Sequence, residues 1–339
     1  MKIGILSAGG DCPGINAAIR GVGKTAIVKY GMEVIGISNG FSGLIDMNYE
    51  VLTEKKLSGI LTVGGTILGT SRIKPFKPQE GDTVEDKPQV IKENYHNMGL
   101  DALVCIGGNG TQRTANLLSK EGLNIIGLPK TIDNDVWGTD VTFGFDSAVN
   151  IATDAIDRLH TTANSHKRVM VIEVMGHNAG WIALYSGVAG GGDIILLPEV
   201  EYDMDVVANT LLNRSEKGKP YSIVVVGEGI KVPKKKSAAR FIGKQIQERT
   251  GLETRETILG YTQRGGTPSP ADRILATRYG AYAAELIHTK NFGSMVCIKN
   301  NQITSIPLEE VGGKTKLIDL NNRLVTKARN MGVCFGDKF

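Results

Sequence analysis

Leu103-Val104-Cys105-Ile106 is an uninterrupted apolar run, and Gly107-Gly108-Asn109-Gly110-Thr111 follows it directly. From Gly110 to Lys120 the pattern turns helical. A strand that is apolar at every position is buried on both faces, as strands of a parallel sheet under helices are. The same unit recurs along the chain. Lys2–Ser7, Glu33–Ser38, Ile125–Leu128, Val169–Val174, Ile194–Leu197, Ser222–Val226 and Met295–Ile298 are further short β-rich runs. Asn16–Lys29, Ala148–Thr161 and Asp272–Ile287 are further helix candidates. Asp272 suits the start of the last, since a carboxylate there can cap free N–H groups. Strand alternating with helix predicts a three-layer α/β architecture with mostly parallel sheets.

The 339 residues are long for one core and favour two domains, although no linker or repeat marks a boundary. Hydrophobic residues make up 41% and charged residues 22%, the balance of a soluble globular protein. The net charge of +4 and the lone basic run Lys234-Lys235-Lys236 argue against a nucleic-acid partner. That run reads as a solvated loop after Pro233. The apolar run Ile3–Leu6 is too short for a secretory signal, and no stretch reaches membrane-spanning length. The four cysteines are scattered without metal-binding spacing, which indicates neither zinc nor disulfides and suits the reducing cytoplasm. Cys105 and Cys297 read as buried thiols, and Cys12 as a bystander in a Gly-rich loop.

In an open α/β sheet, ligands sit beyond the carboxyl ends of the strands. After the first run comes Gly9-Gly10-Asp11-Cys12-Pro13-Gly14, ahead of a helix. Glycines let backbone N–H groups approach phosphate oxygens, and the helix start adds a favourable dipole. The loop reads equally well as a tight turn without a ligand. Gly107-Gly108-Asn109-Gly110-Thr111 repeats the arrangement, and two such loops on one sheet edge point to a polyphosphate donor. Gly23-Lys24-Thr25 imitates the end of a P-loop, but Ala18 stands where the first Gly is required. The dinucleotide fingerprint also fails, because Arg113 stands where its last Gly belongs.

Phosphoryl transfer needs a carboxylate to take the acceptor hydroxyl's proton, cations to spread charge, and a metal. Pro129-Lys130-Thr131-Ile132-Asp133-Asn134-Asp135 offers Lys130, the Thr131 hydroxyl and two carboxylates. In an extended segment Asp133 and Asp135 point the same way. One then acts as base and the other supports Mg²⁺ or its waters. The competing reading is a plain turn, which Asp and Asn also favour. Arg72, after Gly69-Thr70-Ser71, is placed to clamp phosphoryl oxygens. Arg168, Arg255 and Arg264 raise the same question, and only Arg264 has paired glycines beside it. His177 suits a sugar contact better than a base. Trp137 and Trp181 read as packing.

These motifs together resemble the phosphofructokinases, from Lys2 to about residue 310. The resemblance rests on Gly9-Gly10-Asp11-Cys12-Pro13-Gly14-Ile15-Asn16-Ala17-Ala18, Gly69-Thr70-Ser71-Arg72 and Thr131-Ile132-Asp133-Asn134-Asp135. It extends through Glu173-Val174-Met175-Gly176, Pro198-Glu199-Val200 and Leu259-Gly260-Tyr261-Thr262-Gln263-Arg264-Gly265-Gly266. It implies two interleaved α/β domains, residues 1–144 with 263–311 for the nucleotide and 145–262 with 312–339 for the sugar phosphate. It implies ATP-dependent phosphorylation of fructose 6-phosphate at the 1-hydroxyl, with Mg²⁺. Gly10, Arg72, Ile73, Gly108, Asn109, Gly110 and Thr111 fall at the nucleotide site, and Asn109 at the metal position. Asp133 falls at the base, with Lys130, Arg72 and Asp135 as catalytic partners. Thr131, Ile132, Met175, Gly176, His177, Glu228, Tyr261 and Arg264 fall at the sugar contacts. Arg168 and Arg255 match residues that reach the sugar phosphate of a neighbouring subunit, which implies a homotetramer or dimer.

Several positions depart from the family pattern. Asn109 replaces the usual Asp, keeping an oxygen and losing the charge. Lys130 is typical of pyrophosphate-using and mixed members. Gly110 stands where pyrophosphate enzymes carry an Asp that crowds the nucleotide's α-phosphate, so ATP is the expected donor and pyrophosphate the alternative. Tyr261 and His177 replace a usual His and Arg. Arg20, Lys24, Lys217 and Lys219 match the basic allosteric pocket, while His160, Gly59 and Pro220 do not, so weakened control by ADP or phosphoenolpyruvate is expected. An NAD or lipid kinase shares only the Gly-rich loop. A silent sugar-phosphate sensor is recommended by Asn109 alone.

Overall fold

The computed structural model describes residues 1–77, 86–233 and 236–338, so Lys234 and Lys235 of the basic run lie outside the described residues. Among the described residues the strands, in chain order, are β1 (Lys2–Ser7), β2 (Glu33–Ile37), β3 (Tyr49–Val51), β4 (Ala102–Gly107), β5 (Ile125–Pro129), β6 (Val169–Val174), β7 (Ile194–Leu196), β8 (Ser222–Gly227), β9 (Thr254–Ile258), β10 (Ser294–Lys299) and β11 (Gln302–Pro307). The helices are α1 (Ile15–Lys24), α2 (Phe41–Ile45), α3 (Lys87–Asn97), α4 (Asn109–Lys120), α5 (Phe145–His166), α6 (Trp181–Ala189), α7 (Met204–Glu216), α8 (Ala238–Thr250), α9 (Pro270–His288), α10 (Leu308–Val311) and α11 (Arg323–Asn330).

The chain divides into two compact units. Unit 1 comprises Met1–Thr131, Asp135–Ser147 and Arg264–Lys316, and unit 2 comprises Ile132–Asn134, Ala148–Gln263 and Leu317–Phe339. The crossings expected at 144/145, 262/263 and 311/312 lie at 147/148, 263/264 and 316/317, and Ile132–Asn134 makes an additional excursion.

The sheet of unit 1 runs β11-β10-β5-β4-β1-β2-β3. Its inner pairs are parallel, while β3 and β11 close the two edges antiparallel. Alternate side chains such as Leu6, Leu103, Cys105 and Ile125 join one core with Phe41, Ile91, Leu118 and Leu308 of the helices. Ile3, Ile5, Val104 and Ile106, of opposite parity, are buried as well, and α9 packs on β5, β10 and α1. This burial of both parities is the physical content of the continuous apolar runs. The register pairs Ser7 with Ile106 and Gly107 with Pro129. The loops after β1, β4 and β5 therefore emerge side by side. In unit 2 the order is β7-β8-β6-β9, all parallel. Val174 pairs with Gly227 and Glu173 with Ile258, which gathers the loops after β6, β8 and β9.

Three expectations are corrected. The expected helix Asn16–Lys29 is α1 followed by a π-helical turn at Thr25–Lys29. Asp272 does not cap α9: Ser269 does, its hydroxyl accepting from Asp272 N at 3.2 Å, which frees the Asp272 carboxylate for another partner. Trp137 is not packed away. It is 42% exposed, with Lys314 Nζ 5.7 Å from its ring centroid. Trp181 is buried against Tyr185.

Candidate active site

In unit 1 the loop after β1 is braced by its neighbours. Gly9 N donates to Ser71 O at 2.9 Å and Thr70 Oγ1 donates to Gly9 O at 2.7 Å, tying the glycines to the Gly69–Arg72 segment. Lys130 is 3% exposed, and its Nζ donates to Ala8 O at 3.2 Å and to Gly10 O from beneath the loop. The Lys130 side chain thus underlies the backbone of the Gly-rich loop. Arg264 lies on the other side: a Cβ at Gly10 would overlap its guanidinium, and its Nη1 donates to Asp11 O at 3.2 Å. Arg264, expected among the sugar contacts, lies in unit 1 against the Gly-rich loop.

The second loop starts α4. Gly108 is its N-cap and supplies no side-chain acceptor, so the free N–H groups of the first turn are available to an anion. Gly107 is required by close approach, since a Cβ there would overlap the Thr111 side chain. Thr111 Oγ1 donates to Ala8 O at 3.4 Å. A cleft of about 200 Å³ is bounded by Gly9, Gly10, Arg72, Ile73, Gly110 and Thr111. Among the described residues nothing lies within 4 Å of where a Gly110 Cβ would stand. Cys12 is buried, donates to Phe143 O at 3.6 Å, and burial pushes its thiol up to about 12.

In unit 2 the Glu228 carboxylate accepts from Gly176 N at 3.2 Å and from His177 N at 2.8 Å. Those bonds hold His177 at a φ of 53°, in the left-handed region. Gln263 Oε1 accepts from Met175 N at 3.3 Å. Tyr261 is 74% exposed. Arg168 Nε and Arg255 Nη2 both reach Glu253, at 2.8 and 2.5 Å. Hydrogen bonding from Arg168, then the charge of both guanidiniums, holds that carboxylate below its ordinary range. Both nitrogens of His160 are engaged, with Tyr221 Oη at 3.0 Å and Gly190 O at 2.6 Å.

The family model for phosphofructokinase matches residues 2–287. The chain belongs to the phosphofructokinase family. It is 62% identical to ATP-dependent 6-phosphofructokinase 3 of Bacteroides thetaiotaomicron, across 99% of this chain and 100% of that one. It is 56% identical to ATP-dependent 6-phosphofructokinase of Spirochaeta thermophila, across 98% and 97%. Among solved structures, phosphofructokinase from Saccharomyces cerevisiae matches with a TM-score of 0.83 at 32% identity, over 91% of this chain and 45% of the yeast chain. Pyrophosphate-dependent phosphofructokinase from Marinobacter aquaeolei matches with a TM-score of 0.84 at 22% identity, which shows the fold alone.

Within this phosphofructokinase, three positioning groups escaped sequence reasoning. Gln112 is buried, and its amide donates to Gly107 O and Leu128 O, both at 2.8 Å, strapping β4 to β5 below the loops. Lys316 donates its backbone N–H to Asp135 O at 2.8 Å and its Nζ to Thr139 O and Asp140 O. Burial lowers the Lys316 ammonium to about 8. Glu253 is the third. None belongs to a recognisable motif.

Asn109 bears on the metal. Its Nδ2 donates to Asp135 O at 3.2 Å and to Asp135 Oδ2 at 2.9 Å, while its buried Oδ1 accepts nothing from the protein. The amide oxygen is a neutral hard oxygen of the kind Mg²⁺ takes, and the Asp135 carboxylate is bonded to the same side chain through its nitrogen. Among the described residues no cluster of three or more His, Cys, Asp or Glu could hold an ion by itself. The residues therefore fit an ion that brings most of its ligands with it as phosphate oxygens and waters. Among the described residues no helix is long and apolar enough to cross a membrane.

Proposed function

We propose that this chain transfers the γ-phosphoryl group of ATP to the 1-hydroxyl of fructose 6-phosphate, giving ADP and fructose 1,6-bisphosphate, as a glycolytic enzyme of the cytoplasm. The observation that carries the choice of donor is the open space at Gly110, on the cleft where α4 begins. A side chain there would compete with a nucleotide's inner phosphate. The curated relatives at 62% and 56% identity, named ATP-dependent, support the same donor.

The first turn of α4 and the Gly9–Gly10 backbone bind phosphate oxygens. Lys130, below the loop, and Arg72 and Arg264 stabilise the charge that grows on the transferred group. Asp133 accepts the proton of the sugar hydroxyl as its oxygen attacks phosphorus. Asn109 Oδ1 and Asp135 would hold Mg²⁺, which when bound would neutralise phosphate charge. Thr131, Ile132, Met175, Gly176, His177, Glu228 and Tyr261 shape the sugar site. Arg168 and Arg255 grip the sugar phosphate of a neighbouring subunit, so the active form is a homo-oligomer, a tetramer by family resemblance. His160, engaged on both nitrogens, does not serve as an anion ligand in place of an Arg.

Initial rates with ATP and with pyrophosphate at matched Mg²⁺ test the donor. ATP turnover is expected to dominate, and faster turnover with pyrophosphate would overturn the choice. Asp133→Asn should lower kcat by about 10³-fold, within the range general bases contribute. Retention of wild-type kcat would remove Asp133 from the mechanism.

A further inference from the structure

Asp272, turned away from its own helix, is the centre of a buried polar ring in unit 1. It is 1% exposed. Its Oδ2 accepts from Ser147 N at 2.8 Å and from Ser147 Oγ at 2.6 Å. Ser147 Oγ in turn accepts from Ser269 N at 2.9 Å, and Ser269 Oγ accepts from Asp272 N at 3.2 Å. In a capping box the third residue of a helix returns its carboxylate to its own N-cap. Here the box is split: α9 supplies the carboxylate, and the N–H groups it satisfies belong to Gly144 and Ser147, at the start of α5.

The segment so anchored supports the donor loops. Phe143 forms a bridge with Lys130, and Thr142 Oγ1 donates to Thr131 O at 2.7 Å. Cys12 Sγ donates to Phe143 O. A Cβ at Gly14 would stand 3.2 Å from the Phe143 ring and 3.8 Å from Asp272 Cβ. A Cβ at Gly144 would overlap the Cys12 side chain. Residues 142–147 are thus wedged against the Gly-rich loop and the Lys130–Thr131 strand end, with Asp272 as the anchor.

We infer that Asp272 is a positioning residue for the donor loops, and that phosphoryl transfer requires its carboxylate to be ionised. Two N–H groups and one hydroxyl aim at it, donors that bond more strongly to an ionised carboxylate than to a neutral acid. Burial, its main cause, raises the carboxyl to about 6, and the neighbouring charge of Asp146 adds to the rise. The charged and titratable groups around it are few. Asp146 accepts from Ser269 Oγ at 2.5 Å. The Cys12 thiol stays neutral. Arg273 turns its Nε to Pro268 O at 2.8 Å. The sign follows from a raised carboxyl: the folded state holds the proton more tightly than the unfolded one. Folding stability therefore falls as pH rises from about 4 to about 6. Activity gains as pH rises through about 6, where the folded protein's carboxylate ionises, because the ionised form sets the loops.

The inference rests on the proposed kinase reading and deepens it, and pH profiles of Asp272→Asn and Ser147→Ala test it. The wild type should show an acid limb with a midpoint near 6. Asp272→Asn, a permanent mimic of the neutral acid, should raise KM for ATP about 10-fold at pH 7.5, the scale of a lost charge-assisted hydrogen bond. It should raise KM for fructose 6-phosphate by much less and lose that acid limb. Ser147→Ala removes one donor to the carboxylate and should move the midpoint upward, by up to about one pH unit; it decides the matter if Asp272→Asn does not fold. An unmoved acid limb, or equal rises in both KM values, would overturn the inference. Calorimetric titration with ATP at pH 5 and 7.5 reads the loops without turnover. An inactive wild type whose ATP affinity shows this pH dependence would refute the kinase reading and uphold Asp272. A wild type whose affinity shows none would refute Asp272.

Discussion

The residues proposed for the donor in unit 1 and those proposed for the sugar in unit 2 are built by opposite means. On the donor side the groups proposed to meet an anion are backbone N–H groups and a nearly inaccessible lysine, and they are held by further bonds from Gln112, Thr70 and Thr111. On the sugar side the groups are side chains. Tyr261 stands in solvent, and Arg168 and Arg255 rest on the exposed carboxylate of Glu253. Backbone and buried bonds cannot rearrange cheaply, because an unpaired buried polar group loses its full hydration. Exposed ion pairs exchange partners at little cost. On the proposed reading the donor half is therefore set before its ligand arrives, and the arginines of the other half trade Glu253 for a phosphate.

The contrast is open to direct attack. The largest effect should come from Gly107→Ala, whose Cβ must displace Thr111. Overpacking of this kind costs about 1–3 kcal/mol, and with the α4 start displaced kcat/KM for ATP should fall by roughly 100-fold. Thermal melts and steady-state kinetics report both, and a variant with wild-type kinetics would break the claim that the donor half is rigid. Next is Arg168→Ala. Loss of one charged hydrogen bond should raise KM for fructose 6-phosphate about 10- to 100-fold, with KM for ATP unmoved; a parallel rise in the ATP constant would erase the distinction between halves. The smallest effect belongs to Glu253→Gln. If the carboxylate only keeps the place of an incoming phosphate, KM for the sugar should change by no more than about 3-fold, and high salt should shrink the difference.

The parallel sheets were legible because their strands bury both faces and so read as unbroken apolar runs. β9 escaped because Thr254-Arg255-Glu256-Thr257-Ile258 is largely polar: it sits at the edge of the unit 2 sheet, and three of its side chains are exposed. β11 is likewise an edge strand with one fully buried residue. The Gly-rich loops were legible because glycine is demanded by close approach, as Thr111 demands it of Gly107. Gln112, Lys316 and Glu253 were not, since each acts through a partner remote in sequence and a lone polar residue names no partner. Asp272 shows a subtler limit. Its sequence position is right for a helix start, but Ser269 three residues earlier took the cap. Nothing local reveals that the displaced carboxylate would serve α5.

The order in which the chain visits its two units sets a schedule for synthesis. A nascent chain that ends at Gln263 contains all four strands of the second sheet but only β1 to β5 of the seven in the first. β5 then exposes an open edge, and the surface that α9 will cover lies bare. Such an edge is a template for pairing with another chain, and domains fold as they leave the ribosome. The nucleotide-type unit begins first and finishes only when β10 and β11 arrive, so its half-built sheet is the stage at which a cell must guard this enzyme from aggregation.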